Sequence, residues 1–157
     1  MSRPRRLDGF DYAGPHQYFL TFCTRNRVPV FLGDAIARTV LAHFRRTAIE
    51  QSFTYLAYCL MPDHAHALVE GLTPDASLRL FVKSAKESSG RAYCRRARQR
   101  LWQEGYYEHV LRREEDARAV ARYIIENPVR AGLVDHPSAY PYLGSDRWTL
   151  SQLLDSV

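Results

Sequence analysis

Two histidines separated by a single residue form the first candidate chemical group. His64 and His66 flank Ala65, directly after the turn-forming residues Met61-Pro62-Asp63. On a β-strand both imidazoles project from one face, because side chains two positions apart share a face. Two neutral imidazoles on a rigid strand can supply half of a divalent metal site. Histidine pairs of this kind are more often structural or exposed, so the pair alone does not establish a metal site.

A tyrosine and an asparagine four residues apart form the second candidate group. Tyr123 and Asn127 lie in a segment with helical spacing of apolar residues, and residues four apart share one face of a helix. The amide oxygen of Asn127 could complete the protein ligands of a metal. The phenol of Tyr123 would then lie about one helical turn away, suitably placed to attack a metal-bound phosphate. The alternative is that Tyr123 packs at the edge of the core and Asn127 caps the helix before Pro128.

The elements that must position these residues follow from hydrophobic periodicity. Segments rich in aromatic and β-branched residues, or apolar throughout, predict four strands, at residues 18–24, 54–60, 64–70 and 106–111. Apolar residues at helical spacing predict three helices, at residues 34–50, from 78 into the basic stretch 91–100, and from about 117 to a stop near Asn127 set by Pro128.

The order of these elements predicts the fold class. β-α-β-β-α-β followed by a final helix is the split βαβ, or ferredoxin-like, arrangement. We therefore expect an α+β fold with an antiparallel sheet, helices on one face and an additional C-terminal helix that carries Tyr123. The other face of the sheet is open to a partner or to this last helix. We divide the chain into a basic N-terminal arm at 1–16, one domain at 17–145 and a C-terminal tail at 146–157.

The charge of the chain favours a nucleic-acid partner. Its net charge is +5, and among 22 basic residues only Lys83 and Lys86 are lysines. Arginine binds phosphate through a planar fork and stacks on bases, although each arginine could equally be a solvated surface charge. No apolar run approaches the length of a membrane span, and we expect a cytoplasmic protein. The candidate DNA-binding residues are Arg3, Arg5, Arg6, Arg25, Arg27, Arg91, Arg95, Arg96 and Arg98, with Tyr106 as an exposed ring for base stacking.

Three motifs in this order resemble those of a known family. They are the segment from Met61 to His66, the segment from Trp102 to Arg112, and the segment Tyr123-Ile124-Ile125-Glu126-Asn127-Pro128-Val129 with Gly132 beyond it. Together they resemble the REP-associated tyrosine transposases, a branch of the single-tyrosine HUH transposases of bacterial insertion sequences. The resemblance extends from about Tyr18 to Tyr142.

The resemblance implies a function and a set of roles. His64 and His66 correspond to the paired metal ligands and Tyr123 to the nucleophile. Asn127 stands where many insertion-sequence relatives carry glutamine, which implies a third ligand with one methylene fewer. The implied cofactor is Mg²⁺ or Mn²⁺. The implied partner is single-stranded DNA with hairpins formed by palindromic repeats, cut and rejoined through a 5′-phosphotyrosine by a monomer or a homodimer.

Two other functions remain compatible with the same residues. A ferredoxin-like sheet with aromatic side chains is also typical of a non-catalytic nucleic-acid-binding module, although the chain has no Lys/Arg-Gly-aromatic-Gly run. A hydrolytic metallophosphodiesterase would use water as nucleophile and leave Tyr123 a bystander. Formation of a covalent protein–DNA adduct distinguishes the three functions.

Overall fold

The structure is a computed structural model that describes residues 6–155, so Arg3 and Arg5 of the predicted basic arm lie outside the described residues. The strands are β1 (Gln17–Cys23), β2 (Phe53–Met61), β3 (His64–Gly71), β4 (Tyr107–Val110) and β5 (Leu143–Gly144). The helices are α1 (Asp34–Gln51), α2 (Leu78–Ala97), α3 (Ala117–Ile125), α4 (Asn127–Arg130) and α5 (Leu150–Leu154). Two short 3-10 turns occupy Arg25–Arg27 and Pro137–Ala139.

The strands form one antiparallel sheet in the order β4-β1-β3-β2-β5. The histidine strand β3 is central, with β1 on one side and β2 on the other. Its register places His66 opposite Thr21 of β1 and opposite Cys59 of β2. His64 is likewise opposite Cys23 and Met61. The histidines therefore project from the middle of the sheet, where neighbouring strands hold the backbone rigidly.

Side chains alternate between two separate apolar cores, one on each face of the sheet. The first core contains Leu20 of β1 and Ala67 of β3 and is covered by α1 and α2. The second core contains Leu68 of β3, with Ile124 of α3 and Leu153 of α5. Because His64 and His66 are in phase with Leu68, they lie on the face that α3 covers.

The predicted fold class is confirmed: the chain is α+β, with α1 and α2 on one face of an antiparallel sheet and the tyrosine helix on the other. The elements that periodicity missed are short. β5 has two residues and α5 has five, too few to show a period. Leu153 of α5 is nevertheless buried, so the segment expected to be a tail packs against the helix that carries Tyr123.

The ends of two helices agree with the prediction. α2 ends at Ala97, where Arg98 adopts a left-handed backbone conformation and caps the helix. α3 ends at Ile125 and α4 begins at Asn127, which agrees with the stop predicted from Pro128. Pro128 is tolerated in the first turn of α4, where no backbone N–H donor is required. Within residues 6–155, no helix is long and apolar enough to cross a membrane.

Candidate active site

The two histidines of β3 lie side by side on the sheet face that α3 covers. Their ring centroids are 4.6 Å apart, and the ring planes are inclined at 76°. The strand alternation expected from the sequence is thus present, with Ala65 buried on the opposite face. The pair is close enough for both imidazoles to reach one ion, since each metal–nitrogen bond is about 2.1 Å long.

His64 is oriented by the residue that precedes it. Its Nδ1 atom lies 2.7 Å from Oδ1 of Asp63, and the other carboxylate oxygen of Asp63 accepts a 3.0 Å hydrogen bond from Nε of Arg27. A carboxylate on Nδ1 fixes the proton there and leaves Nε2 free as a metal ligand. The positive charge of Arg27 and the bond to His64 hold the pKa of Asp63 below its usual range, although burial opposes this shift. The carboxylate therefore stays ionised beside the imidazole.

His66 is oriented by the neighbouring strand. Its Nδ1 atom lies 2.9 Å from Oγ1 of buried Thr21, and the ring of Phe19 stacks on the imidazole at 5.4 Å. Burial, helped by the nearby charges of His64 and Arg130, lowers the pKa of His66 to about 3. The ring is therefore neutral at physiological pH, which is the state that binds a metal.

Asn127 carries an unsatisfied polar group. Its Nδ2 atom is buried and has no hydrogen-bond partner among residues 6–155. A buried amide without a partner costs free energy on the order of 1–3 kcal/mol. Rotation of the side-chain amide about its Cβ–Cγ bond exchanges the positions of this nitrogen and the oxygen. The amide can therefore present its oxygen to an ion. The role of Asn127 as third ligand stays a prediction.

Tyr123 lies in the last turn of α3 with 55% of its surface exposed, while its neighbours Ile124 and Ile125 are fully buried in the second core. The helix is therefore fixed to the sheet while the phenol is accessible to solvent. Glu126, which separates α3 from α4, keeps a right-handed backbone, so the chain continues in helical sense from Tyr123 to Asn127. The role of Tyr123 as nucleophile stays a prediction beside the alternative in which it lies at the edge of the core.

The available donors restrict which metal would fit. Within residues 6–155, no group of three or more His, Cys, Asp or Glu side chains is arranged to hold a metal ion. Burial raises the pKa of Cys59, the residue opposite His66, to about 12, so its thiol stays protonated. An ion at the histidine pair would therefore take further ligands from an amide oxygen and from substrate or water, a donor set that suits Mg²⁺ or Mn²⁺ better than a thiolate-loving metal.

Two open clefts at the end of α2 are lined by arginines, together with Glu87 and Glu104 in the first. Their volumes are about 540 and 550 Å³, and Arg100 lines both. Arg91 lines the first, whereas Arg25 and Arg98 line the second, and among residues 6–155 none of these four guanidinium groups forms a salt bridge. Backbone bonds connect Thr24 to Asp63 and Arg25 to Leu101, which links the border of the clefts to the turn before His64, whereas α2 itself covers the opposite face of the sheet from the histidines.

The other predicted DNA-binding residues are placed differently. Arg27 is engaged by Asp63 and by the sulfur of Cys23, and Arg6 lies 3.9 Å from the buried carboxylate of Glu108. Arg95 and Arg96 are exposed on the last turns of α2, and Arg96 also lines a small apolar cleft against α1. Tyr106 is half-buried, and its ring packs edge-on against that of Phe22 with centroids 6.0 Å apart. The expectation that this ring is exposed for base stacking is therefore wrong.

Comparisons with known proteins identify the class to which this fold and site belong. Residues 14–127 match the family described as "Transposase IS200 like". The chain therefore belongs to the IS200-like transposase family. It is 28% identical over 153 residues to a protein of Haemophilus influenzae described as a REP-associated tyrosine transposase, with 90% of this chain and 84% of that protein covered.

Two solved structures are similar to this one. The first is a REP-associated tyrosine transposase bound to a REP hairpin, with a TM-score of 0.75 and 25% identity over 91% of this chain and 82% of that one. The second is a protein from Deinococcus radiodurans described as a transposase, with a TM-score of 0.54 and 27% identity over 81% of this chain and 97% of that one. The predicted similarity to the REP-associated tyrosine transposases is confirmed.

Sequence reasoning missed three residues that contact the proposed site residues. Asp63 was interpreted only as turn chemistry, although an acidic residue directly before the first histidine was a usable signal. Thr21 contacts His66 because the two residues are opposite each other in the sheet, and no pattern near either residue in the sequence indicates this pairing. Arg130 stacks on Tyr123, and its spacing of seven residues, two helical turns, was visible in the sequence.

We expect Asp63→Asn to weaken binding of Mn²⁺ to the free protein about 10- to 100-fold, because the amide no longer fixes the His64 tautomer as a carboxylate does. The measurement is a Mn²⁺ titration monitored by paramagnetic broadening of the His64 and His66 ring signals in NMR spectra. Asp34→Asn is the control, since Asp34 also pairs with an arginine, Arg38, but on α1. Equal Mn²⁺ affinity of Asp63→Asn and the control would show that Asp63 does not support a metal ligand.

Proposed function

We propose that this protein is a metal-dependent single-tyrosine transposase that cuts single-stranded DNA beside hairpin-forming repeats and rejoins it through a 5′-phosphotyrosine. The observation that carries the proposal is that a neighbouring side chain orients each of the two histidine rings. Both Nδ1 atoms have partners, Asp63 and Thr21, so both Nε2 atoms remain for one ion. Histidines with a purely structural role need no such matched orientation.

The proposed metal site consists of His64, His66 and the amide oxygen of Asn127. A bound Mg²⁺ or Mn²⁺ would withdraw charge from the scissile phosphate and so reduce its repulsion of a nucleophile. The low pKa of His66 keeps its imidazole neutral across the physiological range. The buried amide of Asn127 supports the third position, because its nitrogen has no partner among the described residues and a rotation of the amide would bring the oxygen there to bind an ion.

Tyr123 is the proposed nucleophile, because its phenol is exposed on α3, the helix that packs on the sheet face carrying the histidines. A phenol attacks phosphorus well only as it loses its proton, so positive charge beside it favours the reaction. The new bond joins the phenolic oxygen to phosphorus, and the bond from phosphorus to the 3′ oxygen breaks. The phenolic proton leaves to solvent, and the 3′ oxygen gains one. Because the phosphodiester becomes a phosphotyrosine ester of similar energy, the strand can be rejoined without an external energy source.

The DNA partner is inferred from charge and from the relatives. One similar structure is described as bound to a REP hairpin. In this chain the arginine-lined clefts lie at the end of α2, and the backbone bonds from Thr24 to Asp63 and from Arg25 to Leu101 link their border to the turn before His64. A strand lying in them would pass around the end of the sheet to reach the histidine face. A flexible unpaired strand reaches in-line geometry at Tyr123 more easily than a stiff duplex does. We therefore propose that the clefts bind the phosphate backbone and that the cleaved segment is unpaired.

We expect Tyr123→Phe to abolish covalent adduct formation while DNA binding stays within about twofold, because only the exposed hydroxyl is removed. The substrate is a 3′-labelled single strand from the repeats that flank the gene, incubated with Mn²⁺ and resolved under denaturing conditions. A 3′ label remains with the protein only if the link is to the 5′ phosphate. Tyr107→Phe is the matched control, since Tyr107 lies on the same sheet face, where its ring meets Phe19.

Each result of this assay separates the candidate functions. An adduct formed by Tyr123→Phe but lost in Tyr107→Phe would move the nucleophile to Tyr107. Cleavage by the intact protein without any adduct would identify a hydrolase that uses water. Binding without cleavage would identify a nucleic-acid-binding module.

We expect cleavage to require an unpaired strand. The comparison uses one oligonucleotide in three forms, namely a hairpin with its flank, the flank alone, and the same strand annealed to its full complement. The hairpin with its flank should be cleaved fastest and the full duplex not at all, even where the duplex binds. Equal cleavage of the duplex would contradict the proposed substrate and leave the tyrosine chemistry in place.

We expect the double variant Arg91→Ala/Arg100→Ala to weaken DNA binding and to reduce the slope of log affinity against log salt by about 2, one unit for each lost phosphate contact. The control is Arg46→Ala/Arg79→Ala, which removes the same charge at exposed positions outside the clefts. The measurement is fluorescence anisotropy with hairpin DNA between low and moderate salt. Identical slopes for the two double variants would show that the clefts do not hold phosphates.

A further inference from the structure

The proposed nucleophile is covered on one side by a cation. The guanidinium carbon of Arg130, in α4, lies 3.9 Å from the centroid of the Tyr123 ring. A guanidinium so close to the ring centre stacks on the aromatic face. The same group donates a 2.6 Å hydrogen bond from its Nη2 atom to the backbone carbonyl of Tyr123. Arg130 therefore holds both the backbone and the ring of one residue.

Glu126 lies near both Arg122 and Arg130 but pairs more closely with Arg122. One oxygen of its carboxylate accepts a hydrogen bond of 2.9 Å from Nε of Arg122, and its other oxygen lies 4.0 Å from Nη1 of Arg130. The tighter partner of Glu126 is thus Arg122, which precedes Tyr123 in the chain. Arg130 is only loosely paired, so most of its charge is available to the phenol that it covers.

We propose that Arg130 is a positioning residue for Tyr123, which fixes the exposed ring for in-line attack and supplies positive charge beside the phenol as its proton leaves. This inference rests on the proposed function. Without the stacked guanidinium, an exposed tyrosine at a helix end rotates about χ1 and χ2 among several rotamers. With it, the ring keeps one orientation before DNA binds. The bonds made and broken remain those of the tyrosine transfer, and Arg130 neither gains nor loses a proton.

The test uses Arg130→Ala and Arg130→Lys, with Arg122→Ala as the matched control. Arg122 is also an arginine paired with Glu126, whereas the guanidinium over the Tyr123 ring is that of Arg130. We measure the single-turnover rate of adduct formation at saturating hairpin DNA, the dissociation constant for that DNA and the melting temperature. Arg130→Ala should lower the rate about 100-fold, the loss typical of a reacting group displaced by about 1 Å. Its DNA affinity and melting temperature should match those of the control.

Arg130→Lys should recover part of the rate, because it restores the charge without the planar stack. A merely structural role, such as capping the end of α3, would instead lower the melting temperature in Arg130→Ala and leave the rate of the folded fraction unchanged. If Arg130→Ala does not fold, the rate of adduct formation by Arg130→Lys tests the proposal instead. A rate equal to that of Arg122→Ala overturns the proposal, and an intermediate rate supports it.

An observation on the free protein separates this inference from the proposed function. Ring-labelled tyrosine in NMR spectra should show Tyr123 in one ring environment in the intact protein and averaged signals in Arg130→Ala. Unchanged Tyr123 signals in the variant overturn the positioning role whatever the assay gives. If the intact protein forms no adduct although these signals change, the proposed function fails and the stacking contact stands.

Discussion

The antiparallel register of the three central strands is the constraint on which the candidate site depends. Pairing β3 with β1 and β2 fixes which residues share a face and which are opposite each other. A shift of one residue would send His64 and His66 into the core beneath α1 and α2 and move Ala65 and Ala67 to the face that α3 covers. The burial of Leu68 on one face and Ala67 on the other opposes such a shift. The apolar pattern of β3 thus positions its two polar residues.

The polar residues of the site are held by partners from different elements. Asp63 comes from the turn before β3, Thr21 from β1 and Arg130 from α4. Each contact restricts a side chain and so costs conformational entropy, which the packing of the surrounding strands and helices outweighs. This arrangement is expected where several groups must meet one phosphate, because rigid strands and helix ends hold side chains more accurately than loops do.

Arginine serves different purposes at different places in this chain. Arg27 is bonded to Asp63 and Cys23 and so belongs to the support of His64. Arg100 lines two open clefts, the first of which it shares with Glu87 and Glu104. Arg130 stacks on an aromatic ring. Net charge and composition treat these residues alike, and only their surroundings separate a structural cation from one available to DNA.

The sequence by itself determined the fold class, the strand that carries His64 and His66, and the helix that carries Tyr123. Alternation and helical spacing are local properties of the chain, so they are visible without a structure. The stop at Pro128 is also local, because proline lacks the N–H that a helix interior requires. The two-residue strand β5 and the five-residue helix α5 were not visible, since neither is long enough to repeat a pattern.

The tertiary structure alone decided how the site residues are supported. Thr21 meets His66 across 45 positions of sequence and Arg27 meets Asp63 across 36, and nothing in either local segment specifies its partner. It also turned Tyr106 partly into the core and left Tyr123 exposed, although both are tyrosines near the end of an element. The physical reason is that burial and pairing depend on what the rest of the chain brings alongside a residue. Periodicity predicts only which way that residue points.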